Sequence, residues 1–275
     1  MNAAERIFGR NKAIIGMCHA RALPGRPGHD VRGGLDAIFD ALAPDLEALQ
    51  RGGVDGILFC NEGDLPYQLR VGPEIVAGMA AVIGRLRSEL SLPFGVDLVW
   101  DPIASLSVAR GTGASFVRGV FTGVYDTDMG LMSPVLGDLY GFRASIGAND
   151  VAVFTNITPE FGQPISGRPV EERAMGAVYN GVDGLIVSGL HTGLLPDLDV
   201  LKRVKAAVPE ALVIASSGLN ADNVEAVLAV ADAGIVGTSL KIDGNTWNSV
   251  DPQRVRRFID VVDRCRGRSG LSGKN

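Results

Sequence analysis

The sequence is poor in features that mark several classes of protein. Its three cysteines, Cys18, Cys60 and Cys265, show no CxxC spacing, which argues against a disulfide framework and for a reducing compartment. No run free of charged residues approaches the ~20 apolar residues of a membrane span, and the N-terminus has no signal-peptide pattern. We therefore expect a cytoplasmic protein without a membrane span.

Other motifs are also missing. The net charge is −5, and the arginines between Arg254 and Arg268 alternate with apolar residues at helical spacing. This spacing is typical of a solvated helix face and predicts no nucleic-acid partner. The chain has no HxH, HExxH, GxxxxGK[ST] or early GxGxxG motif, and no metal or other cofactor is predicted. A hard cation such as Mg²⁺ on Glu62, Asp97 or Asp101 remains an alternative, since such ions prefer oxygen ligands.

The sequence does contain a repeated pattern of short apolar runs followed by helix-like stretches. Parallel strands buried on both faces are expected to form such runs, and they occur at residues 13–19, 56–61, 94–99, 116–121, 151–156, 184–188, 212–216 and 234–238. Eight strand–helix units predict an α/β fold, a (β/α)8 TIM barrel, over residues 1–267, as a single domain with a short N-terminal extension. An open doubly wound sheet is the alternative. Residues 268–275 are expected to form a disordered tail.

Two of the expected loops have the composition of a phosphate site. Such a site is often built by the loops after the seventh and eighth barrel strands, which here read Ser216-Ser217-Gly218-Leu219-Asn220 and Gly237-Thr238-Ser239-Leu240-Lys241. Small residues let backbone N–H groups approach a phosphate, and a helix start, here with Asn220 as its expected N-cap, favours negative charge. The predicted phosphate-binding residues are Ser217, Gly218, Leu219, Gly237, Thr238 and Ser239. The alternative is that these glycines only serve tight turns.

Polar residues at the other strand ends form a candidate catalytic set, which comprises Glu62, Asp97, His19, Arg118 and Asn156. Glu62 and Asp97 would form a general acid/base pair if they face each other across the barrel mouth. One of them could instead cap a helix or pair with Arg118. Arg118 interrupts an apolar run and must be paired, so it either binds a substrate anion or neutralises one of these carboxylates.

Four further residues are candidates for contacts with a substrate, namely Asp101, Ser188, His191 and Lys241. They follow the third, sixth and eighth predicted strands. Asp101 directly precedes Pro102, so the N-cap of a helix is an alternative role for its side chain.

Several motifs resemble those of the BtpA/SgcQ family. They are Ile15-Gly16-Met17-Cys18-His19 with Leu23-Pro24-Gly25, Asn61-Glu62 with Leu65-Pro66-Tyr67, residues 95–102, residues 121–125 with Asp128, and residues 236–241 with Asp243-Gly244. The resemblance runs from about Lys12 to Cys265. It implies a TIM barrel of the ribulose-phosphate-binding type, but no known reaction. One branch is named for photosystem I biogenesis. The SgcQ branch, which this chain resembles more, is associated with sugar-uptake operons and has carried a nucleoside-triphosphatase label.

Together these features favour an enzyme of the isomerase, epimerase or lyase type. Its substrate would be a phosphorylated small metabolite such as a sugar phosphate, with proton transfer by Glu62 or Asp97. A non-catalytic assembly or regulatory protein of the BtpA type is one alternative. A phosphohydrolase is another, although no Lys/Arg cluster is dense enough to neutralise a triphosphate. A homo-oligomer is left open.

Overall fold

A ring of parallel strands forms the centre of the computed structural model, which describes residues 3–269. Within this range the strands are β1 (Ala13–His19), β2 (Gly56–Cys60), β3 (Phe94–Asp97), β4 (Phe116–Gly119), β5 (Tyr125–Thr127), β6 (Gly130–Met132), β7 (Ala152–Thr158), β8 (Gly162–Pro164), β9 (Gly184–Ser188), β10 (Leu212–Ser216) and β11 (Ala233–Val236). All except β5, β6 and β8 close into an eight-stranded barrel, in which β1 pairs with both β2 and β11. The predicted (β/α)8 barrel is confirmed.

A helix follows each barrel strand. The helices are α1 (Ala3–Phe8), α2 (Gly34–Gly52), α3 (Pro73–Leu86), α4 (Pro102–Thr112), α5 (Leu136–Ser145), α6 (Val170–Tyr179), α7 (Leu198–Ala207), α8 (Val224–Leu228) and α9 (Pro252–Ser269). None of these helices is long and apolar enough to cross a membrane. Because α9 runs to Ser269, the first two residues of the predicted tail are helical, and residues 270–275 lie outside the described residues.

The short N-terminal extension forms α1, whose aromatic side chain packs into the barrel interior. Phe8 contacts Phe116 edge-on at 5.5 Å between ring centroids, and Phe116 stacks on Phe154 at 5.1 Å. Phe116 belongs to β4 and Phe154 to β7, and both side chains are fully buried. Gly56 leaves room for this packing, since a Cβ there would lie 2.6 Å from Phe8 Cε1. Aromatic burial therefore closes the end of the barrel away from the strand carboxyl ends.

The helix expected to start at Asn220 starts later. Asn220 Oδ1 accepts hydrogen bonds from Asp222 N at 2.9 Å and Asn223 N at 3.1 Å, so it caps a turn. Helix α8 begins only at Val224, with Asn223 at its N-cap position. The short Asn side chain satisfies backbone N–H groups in a turn as well as it does at a helix start.

A small antiparallel sheet, in the order β6-β5-β8, was not predicted. Its strands follow β4 and β7, so they extend the loops at the carboxyl ends of the barrel strands. Tyr125 of β5 is buried, and its hydroxyl donates to the carbonyl oxygen of Ile157 at 3.3 Å. Strands of three residues show too little alternation to be recognised in a sequence.

Candidate functional site

A cavity of about 340 Å³ lies at the carboxyl ends of the barrel strands. Its lining combines the ends of β1, β2, β3 and β4 with the loops that follow β10 and β11. The structure therefore brings together the two groups that the sequence predicted separately. Glu62, Asp97 and Arg118 lie at β2, β3 and β4 on one side of the ring, which we call the acidic end, and His19 lies on β1, between the two sides. Residues 216–220 and 237–239 follow β10 and β11 on the opposite side, which we call the loop end.

Arg118 of β4 organises the acidic end. Its guanidinium is buried, with Nη2 2.7 Å from Glu160 Oε1 and Nε 3.4 Å from Asp97 Oδ2. Nε also donates to Asn156 Oδ1 at 3.3 Å. The sequence left two roles open for Arg118, binding a substrate anion or neutralising carboxylates. The structure shows the pairing with carboxylates, which a buried charge requires.

Glu160 was missing from the predicted set, although it lies only two residues beyond β7. It is buried, and its Oε1 accepts hydrogen bonds from both Arg118 and the Ser217 hydroxyl, the latter at 2.7 Å. Its Oε2 accepts from Asn156 Nδ2 at 3.0 Å. Glu160 thus joins the acidic end to the loop after β10. A carboxylate just after a barrel strand was the available signal for it.

Asp97 ends β3 with its carboxyl group buried. Burial raises the pKa of Asp97 to about 7; Arg118 opposes this shift, and the charges of Glu160 and Glu62 add to it. Asp97 Oδ1 has no hydrogen-bond partner within the described residues. A carboxyl group with this pKa and a free oxygen is suited to exchange a proton near neutral pH.

Glu62 follows β2 and lies in the same wall. Burial raises the pKa of Glu62, Arg118 opposes the shift, and Glu160 adds to it. The Cys60 thiol donates to Glu62 Oε2 at 3.6 Å, and the Tyr67 hydroxyl donates to the Glu62 carbonyl oxygen at 3.2 Å. Burial also raises the pKa of Cys60 well above its usual value, which keeps the thiol protonated.

His19, at the end of β1, is a neutral imidazole. Burial lowers the pKa of His19 to about 3, and the positive charges of Lys241 and Arg118 act in the same direction. Its Nδ1 is buried and has no partner among the described residues. A Cβ on Gly237 would lie 2.9 Å from His19 Cε1. The histidine ring therefore lies directly against the loop that follows β11.

The loop end is built from backbone and small side chains. Ser217 and Gly218 both adopt positive φ, at 68° and 64°. The conformation costs a non-glycine residue such as Ser217 ~1 kcal/mol. A Cβ on Gly218 would lie 2.2 Å from Leu195 N. The Ser239 hydroxyl donates to the Leu219 carbonyl oxygen, which joins the two loops into one wall.

Two predicted residues, Asn156 and Ser188, lie next to the residues that line the cavity. Asn156 is fully buried in β7, and neither side chain lines the cavity. Asn156 contacts Arg118 and Glu160, and its Nδ2 donates to Ser188 Oγ at 3.1 Å. Asn156 thus helps to hold Arg118, and Ser188 helps to hold Asn156; the catalytic role predicted for Asn156 and the substrate contact predicted for Ser188 stay predictions.

Asp101 lies outside the cavity as the N-cap of α4. Its Oδ1 accepts from Ile103 N at 3.0 Å and Ala104 N at 3.1 Å, and its Oδ2 accepts from Val71 N at 3.0 Å. The structure thus has the capping role that the sequence offered as the alternative, and the substrate contact predicted for Asp101 stays a prediction. Within residues 3–269 no group of three or more His, Cys, Asp or Glu side chains is arranged to hold a metal ion. A cation on Glu62, Asp97 or Asp101 stays the alternative that the sequence left open.

His191 and Lys241 also lie elsewhere. His191 lines a second cavity beside the small sheet, where its ring centroid is 5.5 Å from that of Phe161. The buried Lys241 ammonium lies 2.7 Å from Asp45 Oδ2 on α2, and Asp45 Oδ1 accepts from Val250 N at 2.7 Å. A buried ammonium needs such a partner, so Lys241 fixes its loop to α2 and does not reach the cavity.

Arg254 and Trp100 line the cavity although the sequence did not single them out. Trp100 Nε1 is a third buried polar atom without a partner in the described part of the chain. Arg254 lies in the first turn of α9, in the stretch interpreted as a solvated helix face. Only the fold brings this turn to the cavity, so helical spacing gave no indication of it.

Solved structures share this architecture at low sequence identity. The (S)-3-O-geranylgeranylglyceryl phosphate synthase from Thermoplasma acidophilum, in complex with sn-glycerol-1-phosphate, has a TM-score of 0.60 and 14% identity, covering 96% of this chain and 99% of that one. The thiamine phosphate pyrophosphorylase from Pyrococcus furiosus has a TM-score of 0.58 and 15% identity, covering 92% and 96%. This likeness shows the fold.

Sequence relatives cover nearly the whole chain. The sgc region protein SgcQ of Escherichia coli K12 is 42% identical over 267 residues, 97% of this chain and 100% of the relative. The photosystem I biogenesis protein BtpA of Synechocystis is 32% identical over 261 residues, 93% and 89% of the two chains. Since the model of the BtpA family also matches residues 10–264, the chain belongs to the BtpA family.

Proposed function

We propose that the protein is an enzyme that binds a phosphorylated small metabolite, such as a sugar phosphate, and transforms it by proton transfer in a reaction of the isomerase, epimerase or lyase type. The observation that carries this proposal is the composition of one cavity. It has a wall of small residues in the two loops expected to hold phosphate and, opposite, two buried carboxyl groups, Glu62 and Asp97, with raised pKa values.

The loop end supports phosphate binding. Gly218 and Gly237 let these loops pack closely against Leu195 and His19, and backbone N–H groups of such small-residue loops are good donors to phosphate oxygens. Ser217 is held in an uncommon conformation by its place in this loop, and such conformations cluster at binding sites. The fold neighbour from Thermoplasma acidophilum was solved with a glycerol phosphate, which is in keeping with a phosphorylated ligand here.

The acidic end supports proton transfer. A base or acid works best when its pKa is near the working pH, and Asp97 has a pKa of about 7. His19 is neutral, so it can hydrogen-bond a substrate oxygen without adding charge. The unpartnered atoms Asp97 Oδ1, His19 Nδ1 and Trp100 Nε1 belong to residues that line the cavity. Buried polar atoms are normally bonded, so their clustering favours a polar ligand at this end.

Ligand screening tests the binding step. We expect a panel of sugar monophosphates to raise the melting temperature, because a ligand that binds only the folded state stabilises it by mass action. The dephosphorylated sugars are the matched controls, and each assay is run with Mg²⁺ and with EDTA. Stabilisation by unphosphorylated compounds alone would overturn the proposal.

The catalytic step is tested with Glu62→Gln. With a ligand from the screen, exchange of carbon-bound hydrogen for deuterium from D₂O, followed by NMR, detects proton abstraction even where the product is unknown. We expect exchange to slow about 10²–10⁴-fold, while the Kd stays nearly unchanged. Glu172→Gln, at an exposed site on α6, is the control.

Two results would favour the alternatives. Tight binding without exchange in the wild-type protein would favour a non-catalytic sensor, and release of inorganic phosphate would favour a phosphohydrolase. Full exchange in Glu62→Gln would exclude Glu62 as the group that transfers the proton and would leave Asp97 in that role.

A further inference from the structure

The charged side chains of the cavity lie on different sides of the barrel ring, at β2, β3, β4 and β7 on one side and beyond β11 on the other. Glu62, Asp97 and Glu160 surround Arg118 at the acidic end, whereas Arg254 lies at the loop end. Among the described residues that line the cavity, these two arginines are the ones with cationic side chains, since His19 is neutral. The two ends therefore differ in the sign of the ligand charge that they favour.

Arg254 is held only loosely by the protein. Its Nη1 lies 3.4 Å from the Ser239 carbonyl oxygen, and its Nε lies 3.7 Å from Asp251 Oδ2. The side chain is 44% exposed. Both contacts are at or beyond the limit of a hydrogen bond. Most of the guanidinium donors thus remain available to an anion, and the contact with Ser239 places them beside the predicted phosphate loops.

Arg118 cannot serve the same purpose. It is buried, with its Nη2 paired to Glu160 and its Nε shared between Asp97 and Asn156. Moving it onto a ligand would leave two buried carboxylates without a counter-charge, which is unfavourable. A phosphate bound at the loop end would therefore find its positive charge on Arg254.

The acidic end disfavours a second anion. Three carboxyl groups face one guanidinium there, and an anionic substituent would have to be desolvated beside them. Asp222 also lines the loop end, but it is exposed, so water screens its repulsion. Hydroxyl groups, by contrast, carry no charge and avoid this electrostatic cost.

From this separation we propose that Arg254 binds the phosphate group of the ligand, and that the cavity selects metabolites with one phosphate at one end and an uncharged, hydroxylated body at the other. The inference rests on the proposed function and specifies its substrate class. Guanidinium groups bind phosphate through paired, charge-assisted hydrogen bonds, which a loosely held arginine at a cavity rim can supply.

Titration calorimetry with inorganic phosphate and with a sugar monophosphate tests the role of Arg254. We expect Arg254→Gln to raise the Kd of both about tenfold or more, since charge-assisted bonds are lost, and Arg254→Lys to have a smaller effect. Arg256→Gln, exposed on the same helix and outside the cavity lining, should match the wild-type protein. Unchanged melting temperatures would show that each variant folds.

The outcomes separate the two proposals. If the wild-type protein binds neither phosphate nor a sugar monophosphate, the proposed function fails. If it binds them and Arg254→Gln binds them equally well, the assignment of Arg254 is overturned alone. The selectivity is tested with the matching sugar bisphosphate, which should bind at least about tenfold more weakly than the monophosphate. Equal or tighter binding of the bisphosphate would overturn it.

Discussion

The two ends of the cavity are constructed in opposite ways. The acidic end consists of buried side chains at strand ends, and its charged groups are held by one another, as Arg118 is by Asp97 and Glu160. The loop end consists of backbone and small residues, with one half-exposed arginine, Arg254. Buried charges can be placed accurately but are costly to leave unpaired. Backbone donors carry no such cost and need only room for the ligand. We therefore expect substitutions at the acidic end to affect stability and pH dependence, and substitutions at the loop end to affect ligand binding.

The largest stability effect should come from Arg118→Met. Removing the guanidinium leaves Asp97 and Glu160 buried without a counter-charge, so we expect the free energy of unfolding to fall by about 3–5 kcal/mol. Urea denaturation monitored by circular dichroism measures this. Arg254→Gln is the matched control and should change stability by less than about 1 kcal/mol, because its ion pair is exposed. Equal losses of unfolding free energy in Arg118→Met and Arg254→Gln would show that the two ends of the cavity do not differ in their effect on stability.

Asp97→Asn should change how stability depends on pH. In the folded protein the pKa of Asp97 is raised to about 7, whereas in the unfolded chain it is about 3.9. Between these values the unfolded state binds fewer protons, so the stability that Asp97 contributes falls as pH rises. We expect the unfolding free energy of the wild-type protein relative to Asp97→Asn to drop by about 2–4 kcal/mol from pH 4 to pH 8.

Denaturation of the wild-type protein and of Asp97→Asn at the same pH values measures this difference in unfolding free energy. Groups that titrate alike in both proteins contribute equally to both and drop out of the difference. A difference that stays constant across the range would mean that Asp97 is ionised throughout. In that case, the acidic end would hold a fixed charge and would not supply a proton near neutral pH.

Gly218→Ala should have a smaller effect on stability, of about 1–3 kcal/mol, and a marked effect on binding. The added Cβ would lie 2.2 Å from Leu195 N in a residue with φ of 64°, so the loop must move. Gly84→Ala in α3, where a Cβ meets no atom within 4 Å, is the matched control and should be neutral or slightly stabilising. Unaltered phosphate binding by Gly218→Ala would argue against backbone donors at the loop end.

Much of the barrel could be predicted from the chain because its strands are buried on both faces. The runs at residues 13–19, 184–188 and 212–216 match β1, β9 and β10 at both ends. The run at 94–99 was too long, since the strand stops at Asp97, and the small sheet was missed. Boundaries and short strands depend on hydrogen bonds to neighbours that a single sequence does not specify.

The candidate site was predictable only in part. Polar residues after strands must lie near the carboxyl-end face of a barrel, and Glu62, Asp97, His19 and Arg118 were found on that basis. The same rule suggested Asn156, Ser188 and Asp101. In the structure Asn156 contacts Arg118 and is bonded to Ser188, and Asp101 caps α4. Whether a polar side chain faces a ligand depends on which of its hydrogen bonds the protein already satisfies.

The sequence by itself determined the closed parallel barrel, because eight apolar runs separated by helices have few other ways to bury their surface. It also determined that small residues follow the last two barrel strands and that carboxylates follow the second and third. Only the tertiary structure decided that Glu160 connects Arg118 to Ser217 and that Arg254 comes to the loop end. The two contacts of Glu160 join residues 42 and 57 positions apart, and they form because barrel closure brings the ends of distant strands to one face.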